Sequence, residues 1–248
     1  MPNRPRLTPA IADVRRAVRD CWDAAGVNPG DLVLVAVSGG ADSMALVHAA
    51  AFEGSRAGVR VGAVVVEHGL QEITKAVALA VVEHLSAIGV ETEIRSVVVG
   101  EDGGPEGAAR AARYDAIELA RRERGARFVM LGHTLNDQAE TVLLGLARGS
   151  GAKSLAGMSP VGDHYLRPLL SISRETTEAF CRDSGLEVLH DPQNLDPKFT
   201  RVRVRHEILP LLEQALGAGV HEALARTADQ LREDSVALDA LASSSYLA

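Results

Sequence analysis

Four apolar runs, near residues 31–37, 60–66, 93–99 and 127–131, alternate with helical patterns near 43–53, 72–88, 106–124 and 137–147. Strands separated by a helix cannot pair as hairpins; each returns over the sheet and lies parallel to its neighbour. Helices then cover both faces, which suits runs that are apolar almost throughout. The predicted fold class is α/β, a parallel doubly wound sheet. Ligands of such sheets gather beyond the carboxyl ends of the strands, where the winding reverses. The loops after the first and fourth strands are therefore the places to look for chemistry.

After the first strand comes Ser38-Gly39-Gly40-Ala41-Asp42-Ser43, followed by a helical pattern. Adjacent glycines let backbone approach a ligand, and the first amides of the next helix point unpaired toward any anion. Ser38 and Ser43 add hydroxyls. Asp42, an anion itself, suits the Mg2+ that accompanies ATP better than the phosphates. No lysine completes a Walker loop. The plain alternative is an ordinary turn with Asp42 and Ser43 as helix caps.

After the fourth strand, His133 enters Thr134-Leu-Asn136-Asp137-Gln-Ala-Glu140-Thr141. Asn136 as N-cap would put Asp137, Glu140 and Thr141 on one face, with Val142, Leu143 and Leu146 toward the core. The alternative is that the two acids merely complement the helix dipole. Glu106, Arg110 and Arg113 share one stripe of a further helix, either as a solvated ion pair or as a face that receives something bulky.

Beyond residue 150 the pattern changes. Tyr165-Leu166 reads as a short strand stopped by Pro168, and Ser173 caps a helix to about Ser184. A proline-punctuated loop from Asp191 leads to Lys198, Arg201, Arg203 and Arg205. Helical spacing puts Arg201 and Arg205 together as anion contacts; the alternative is a solvated basic face. A last amphipathic helix runs from about 220, with Leu224, Ala228, Leu231, Val236 and Leu238 apolar. At the other end, Thr8-Pro9 opens a helix to about Gly26 with Ile11, Val14, Val18 and Trp22 on one face.

With 46% apolar residues among 248, the chain can bury a sizeable core. The 26 Lys+Arg against 33 Asp+Glu give a net charge of -7, so attraction for nucleic acid must be local. No apolar run approaches the ~18 residues that span a bilayer, which places the chain in the cytoplasm, off any membrane. Cys21 and Cys181 form no C-x-x-C and read as buried small hydrophobes.

Taken in order, these motifs resemble the bacterial tRNA(Ile)-lysidine synthases of the PP-loop ATP pyrophosphatase superfamily. The resemblance covers roughly residues 28 to 215. Ser38 to Ser43 matches the pyrophosphate loop; Glu67-His68-Gly69-Leu70 is similar to Asp-His-Gly-Leu-Arg, and Glu106 to Tyr114 to Glu-x-x-x-Arg-x-x-Arg-Tyr. Gly132 to Gly151 and Asp191-Pro-x-Asn194 with Arg201, Arg205 and Pro210 match the later signatures. The chain departs at Glu67, Gln71, Thr134 and Val202, where Asp, Arg, His and Asn are usual.

The resemblance implies a sheet of the adenine-nucleotide alpha-hydrolase type in residues 1–215. Residues 216–248 would begin a small helical C-terminal part that binds tRNA. It implies ATP with Mg2+ on Asp42, and a reaction in which the wobble cytidine of an isoleucine tRNA is adenylated and then attacked by free lysine. Asp137 and Glu140 would receive lysine's ammonium and its proton, and His133 would contact phosphate or nucleotide. Arg113 and Arg205 would clamp the cytidine or its adenylate. Glu106, Arg110, Arg148, Lys198, Arg201 and Arg203 would face the tRNA. A tRNA thiolase of the same superfamily and a nucleotide-sensing module without turnover are the rival readings, and a homodimer is left open.

Overall fold

The computed structural model describes residues 7–67, 72–97, 104–189 and 198–246. Helix α1 (Pro9–Ala25) starts where Thr8 Oγ1 accepts from the Ile11 amide and ends at left-handed Gly26. Its buried stripe is Ile11, Val14, Val18, Cys21 and Trp22, the face that 3.6-residue spacing dictates. Five strands follow: β1 (Leu32–Ala36), β2 (Arg60–Glu67), β3 (Glu91–Ser96), β4 (Phe128–Met130) and β5 (Tyr165–Leu166). All pair in parallel, in the order β3-β2-β1-β4-β5. The crossovers are α2 (Ala41–Ala57), α3 (Glu72–Ala87), α4 (Gly104–Glu123) and α5 (Leu135–Ala147), the last followed by α6 (Ala152–Leu155).

The chain winds outward from β1 to β3, then returns to lay β4 on the other side of β1. The reversal thus falls between β1 and β4, and the loops after these two strands meet there. Every residue of β1 is buried, and alternate ones serve opposite faces. Val33 and Val35 join a core with residues of α1, α2 and α3, whereas Leu32, Leu34 and Ala36 meet Ile117 and Ala120 of α4.

After β5 come a 3-10 turn (Pro168–Ser171), α7 (Arg174–Ser184), α8 (Thr200–Arg203), a π turn (Val204–Ile208), α9 (Leu209–Leu216) and α10 (Val220–Tyr246). Helix α7 packs on α1 and α2 and buries Phe180 and Cys181. Helix α10 lies along α5 and α6, and Arg232 donates to the Ala156 and Met158 carbonyls, both at 2.9 Å.

Three local expectations are corrected. The N-cap of α5 is Thr134, not Asn136: Asp137 reaches back to the Thr134 amide at 2.9 Å in a capping box, which satisfies an end amide. Asn136, released from that task, accepts the Arg174 amide at 2.9 Å and so secures the start of α7. Leu146, expected in the core, is 50% exposed, because α6 sets Leu155 against Gly145 instead. On α10 the first half is enclosed at Ala225 and Ala228, but Val236 and Leu238 are exposed.

A close approach joins the two site loops. A Cβ on Gly132 would lie 3.2 Å from the Asp42 carbonyl carbon and 3.2 Å from the Ser43 nitrogen, both backbone atoms. Gly132→Ala should therefore destabilise the fold by about 1–3 kcal/mol, the usual cost of overpacking. Urea unfolding measures this; an unchanged midpoint would show that the loops are not in contact.

Candidate active site

The N-terminus of α2 is left open. Its N-cap Gly40 carries no capping side chain, and the amides of the first turn have no acceptor within the helix. Gly39 bends the loop at φ 86, a conformation that suits glycine. Ser43 is buried and shapes the loop: its Oγ donates to the Gly40 carbonyl at 2.9 Å and accepts the Ser38 amide at 3.2 Å. Ser38 is exposed, with Oγ 3.3 Å from Ser43 Oγ. The positive end of the helix lies at these first-turn amides. Asp42 and Ser43 are not caps but lie within the first turn of the helix itself, whose N-cap is Gly40.

Asp42 leans toward α7. Its Oδ1 meets the Thr177 hydroxyl and its Oδ2 lies 3.5 Å from Arg174 Nε. Burial pushes its carboxyl above the ordinary range, while Thr177 and Arg174 pull the other way. No group of three His, Cys, Asp or Glu converges on a metal position among the described residues. One carboxylate still fits Mg2+, which commonly binds through one or two carboxylates, phosphate oxygens and water.

Beside this loop, one turn of α5 presents Asp137 and Glu140, both buried. Asp137 Oδ2 accepts from Thr134 N and Oγ1 at 2.9 and 3.0 Å. Its Oδ1 accepts from Arg174 Nη2 at 3.1 Å and Arg205 Nη2 at 2.9 Å. Glu140 is gripped by Arg205 through Nε at 2.7 Å and Nη2 at 3.1 Å, with Arg201 Nε at 3.4 Å. Burial alone would raise the Asp137 carboxyl; Arg174, the Thr134 amide and Arg205 outweigh it and hold it below its ordinary value. Three carboxylates (Asp42, Asp137, Glu140) thus face three guanidinium groups (Arg174, Arg201, Arg205), and their formal charges cancel.

His133 sits next to this cluster. Burial pushes its imidazole down to about 3, against the pull of Asp137 and with Arg167, Arg110 and Arg113 adding to the push. It is neutral at pH 7. Its Nδ1 is buried with no hydrogen-bond partner among the described residues. Arg113 is exposed on α4, and Arg110 lies over the Tyr114 ring at 5.1 Å.

The other expected tRNA contacts divide. Arg148, Lys198 and Arg203 are exposed, whereas Arg201 turns inward to Glu140 and to Thr141 Oγ1, the latter at 2.9 Å. The Glu106 side chain, the motif residues 68–71 and Asp191 with Asn194 lie outside the described residues. Sequence reading missed Arg174 and Thr177. For Arg174 one signal was present: a cation at the first position of a helix opposes the backbone dipole, so something outside the helix had to hold it. Thr177 gave none. Glu67, noted only as a departure, is buried at the end of β2, with Oε1 accepting from Ser96 Oγ and Oε2 unpartnered among the described residues.

A family model described as a PP-loop domain matches residues 13–212. The tRNA(Ile)-lysidine synthase of Leifsonia xyli subsp. xyli is 59% identical over 215 residues, covering 86% of this chain and 65% of the relative. That of Streptomyces coelicolor is 55% identical over 220 residues, covering 87% and 62%. The chain thus spans less than two thirds of the length of these two relatives; of the Thermobifida fusca enzyme of the same name, 53% identical, it spans 69%. Among solved structures, the U34-tRNA thiolase NcsA of Methanococcus maripaludis superposes with TM-score 0.76 at 19% identity, covering 90% of this chain and 80% of that one. That likeness extends to the fold alone. No helix among the described residues is long and apolar enough to cross a membrane.

The buried imidazole makes a pH prediction. His133 titrates at about 3 when folded, against 6.5 as its ordinary value, so between these the unfolded chain binds the extra proton. Its contribution is complete above pH 6.5 and is lost as the pH falls toward 3. His48, pushed down to about 4 by burial and by His84, acts in the same direction. His133→Gln should flatten the acid limb of stability without removing it. Chemical unfolding at pH 7 and pH 4.5 checks this; an unaltered limb would place His133 in water.

Proposed function

Since the chain belongs to the PP-loop domain family and groups within it with the tRNA(Ile)-lysidine synthases, we propose that it joins free lysine to C2 of the wobble cytidine of an isoleucine tRNA. ATP is the activator. One observation carries this reading: a buried carboxylate pair, Asp137 and Glu140, stands next to an open helix N-terminus with no capping side chain. Such a helix end receives an anion. The pair receives a cation, and a reaction that brings a triphosphate to an amine needs both.

In the first step the cytosine C2 oxygen attacks the α-phosphorus, the bond to the bridging oxygen breaks and pyrophosphate leaves. In the second, lysine's side-chain amine attacks C2, the C2–O bond breaks and AMP departs with the oxygen. The order follows from leaving groups, since a bare C2 oxygen cannot be expelled. Backbone amides from Gly40 to Ser43 would neutralise the phosphates while α-phosphate charge develops. Asp42 would hold Mg2+, which supplies further positive charge to the phosphate oxygens when bound.

Lysine's amine has an ordinary pKa of ~10.4, so roughly one molecule in two thousand is the neutral nucleophile at pH 7. Asp137, held ionised by its arginines, draws the ammonium in, and the proton leaves through the carboxylate pair. The cluster is neutral as it stands, so an added ammonium is welcome only beside an added anion. Nucleotide and lysine should therefore favour each other's binding. Arg205, standing on both carboxylates, and Arg113, midway along α4, would clamp the cytidine or its adenylate. Neutral His133 would donate to phosphate or nucleotide. Arg110, Arg148, Lys198 and Arg203, with Glu106, would follow the RNA, and Arg201 would link that surface to Glu140. An anticodon base is unstacked cheaply because its loop is single-stranded.

Sulfur transfer is not favoured. Cys21 and Cys181 are free and buried, and burial pushes both thiols up to about 11. Such thiols are poor nucleophiles.

Pyrophosphate and AMP release should be measured with ATP, lysine and tRNA, each omitted in turn. The reading predicts pyrophosphate only with ATP and tRNA together, and lysidine only when lysine is added. Asp137→Asn should lower lysine transfer by about 10²-fold or more. Release independent of tRNA would contradict the assignment, and wild-type turnover in Asp137→Asn would remove that residue from the mechanism.

A further inference from the structure

Arg174 stands where a helix repels a cation, at the first position of α7 beneath its N-cap Ser173. It is held there from outside. Its amide donates to Asn136 Oδ1 at 2.9 Å, and its guanidinium lies 3.1 Å from Asp137 Oδ1, 3.5 Å from Asp42 Oδ2 and 3.9 Å from Glu140 Oε1. These contacts are unequal. The first of the three is a hydrogen bond; the other two are long for one and act through charge. The two oxygens of Asp42 are also divided, Oδ2 toward Arg174 and Oδ1 against Thr177. Thr177 is fully buried, and its hydroxyl lies against both Asp42 Oδ1 and the Arg174 carbonyl oxygen, a second hold on the carboxylate beside the guanidinium.

We propose that Arg174 is a positioning residue, an internal counter-ion that holds Asp42 until Mg2+ arrives with the nucleotide and then remains on Asp137. The proposal rests on the reading of residues 38–43 as an ATP site. Asp42 carries the only carboxylate of that loop, and two cations cannot share it without repelling each other. The loose contact is the one that Mg2+ replaces. The firm contact keeps the guanidinium on Asp137, so the acidic pair stays oriented while the loop fills. Arg174 thereby links occupancy of the nucleotide loop to the lysine side of the site.

The test is calorimetric titration of the full chain with α,β-methylene ATP, which cannot be cleaved at the reacting bond, over a range of Mg2+ concentrations. Removing the competitor in Arg174→Gln should lower half-saturating Mg2+ by about fivefold, the order of one partly exposed ion pair. Arg174→Lys keeps the charge and should stay near the wild type. Equal values in all three proteins overturn the proposal, as does a lysine variant that behaves like the glutamine one. A second readout needs no variant: the Arg174 Nε–H NMR signal should move when Mg2+ joins bound nucleotide, and a stationary signal overturns the proposal. If the wild type binds no nucleotide at any Mg2+ concentration, the reading of the loop falls first and this proposal with it.

Discussion

Two carboxylates on one turn of α5 are buried where water cannot neutralise them, and three guanidinium groups from later in the chain take up that charge. Asp137 and Glu140 meet Arg174 at the head of α7, and Arg201 and Arg205 on the segment from Thr200 to Ile208. Leaving one partner of such a group unpaired costs about 3–5 kcal/mol. The same ion pairs that define the chemistry therefore also clip α7 and the segment after it onto the carboxyl end of the sheet. Asp42 brings the glycine loop into this arrangement through Arg174 and Thr177.

A second tie registers α10 against the helix that carries the acids. Gln138, the neighbour of Asp137, is buried; its side chain accepts the Met158 amide at 2.8 Å and donates to the Met158 carbonyl at 3.0 Å. Arg232 of α10 donates to that same carbonyl. Gln138 of α5 and Arg232 of α10 thus share one carbonyl acceptor. Buried polar groups that satisfy each other in this way fix a single arrangement of the elements that contribute them.

Much of this was legible from local pattern. Strands buried on both faces advertise themselves by continuous apolar runs, and α7 begins after its cap Ser173 and ends at Ser184, as read from the sequence. Strand β3 was harder: it was expected at 93–99 but lies at Glu91–Ser96. Its residues are mostly polar, and the apolar Val97 to Val99 that attract a strand reading follow its end. The start of α5 was misplaced because Asn136 is as good a cap as Thr134 in isolation. The difference lay in Asp137 and in an acceptor needed by α7. In the site, Asp137 and Glu140 stood out as acids in a first turn, and Arg201 and Arg205 as a helical pair. Arg174 did not, since its acidic partners lie far back in the chain and no local spacing connects them. Long-range electrostatics left only an indirect mark, a cation where the helix dipole disfavours one.

The central claim is that the open end of α2 receives a triphosphate beside an acid pair meant for an amine. A crystal structure of the protein soaked with α,β-methylene ATP and lysine tests it most directly. The account predicts phosphate density against the amides of residues 40–43 and an ammonium nitrogen within hydrogen-bond distance of Asp137 or Glu140. Phosphates bound elsewhere, or lysine density remote from that pair, would contradict it.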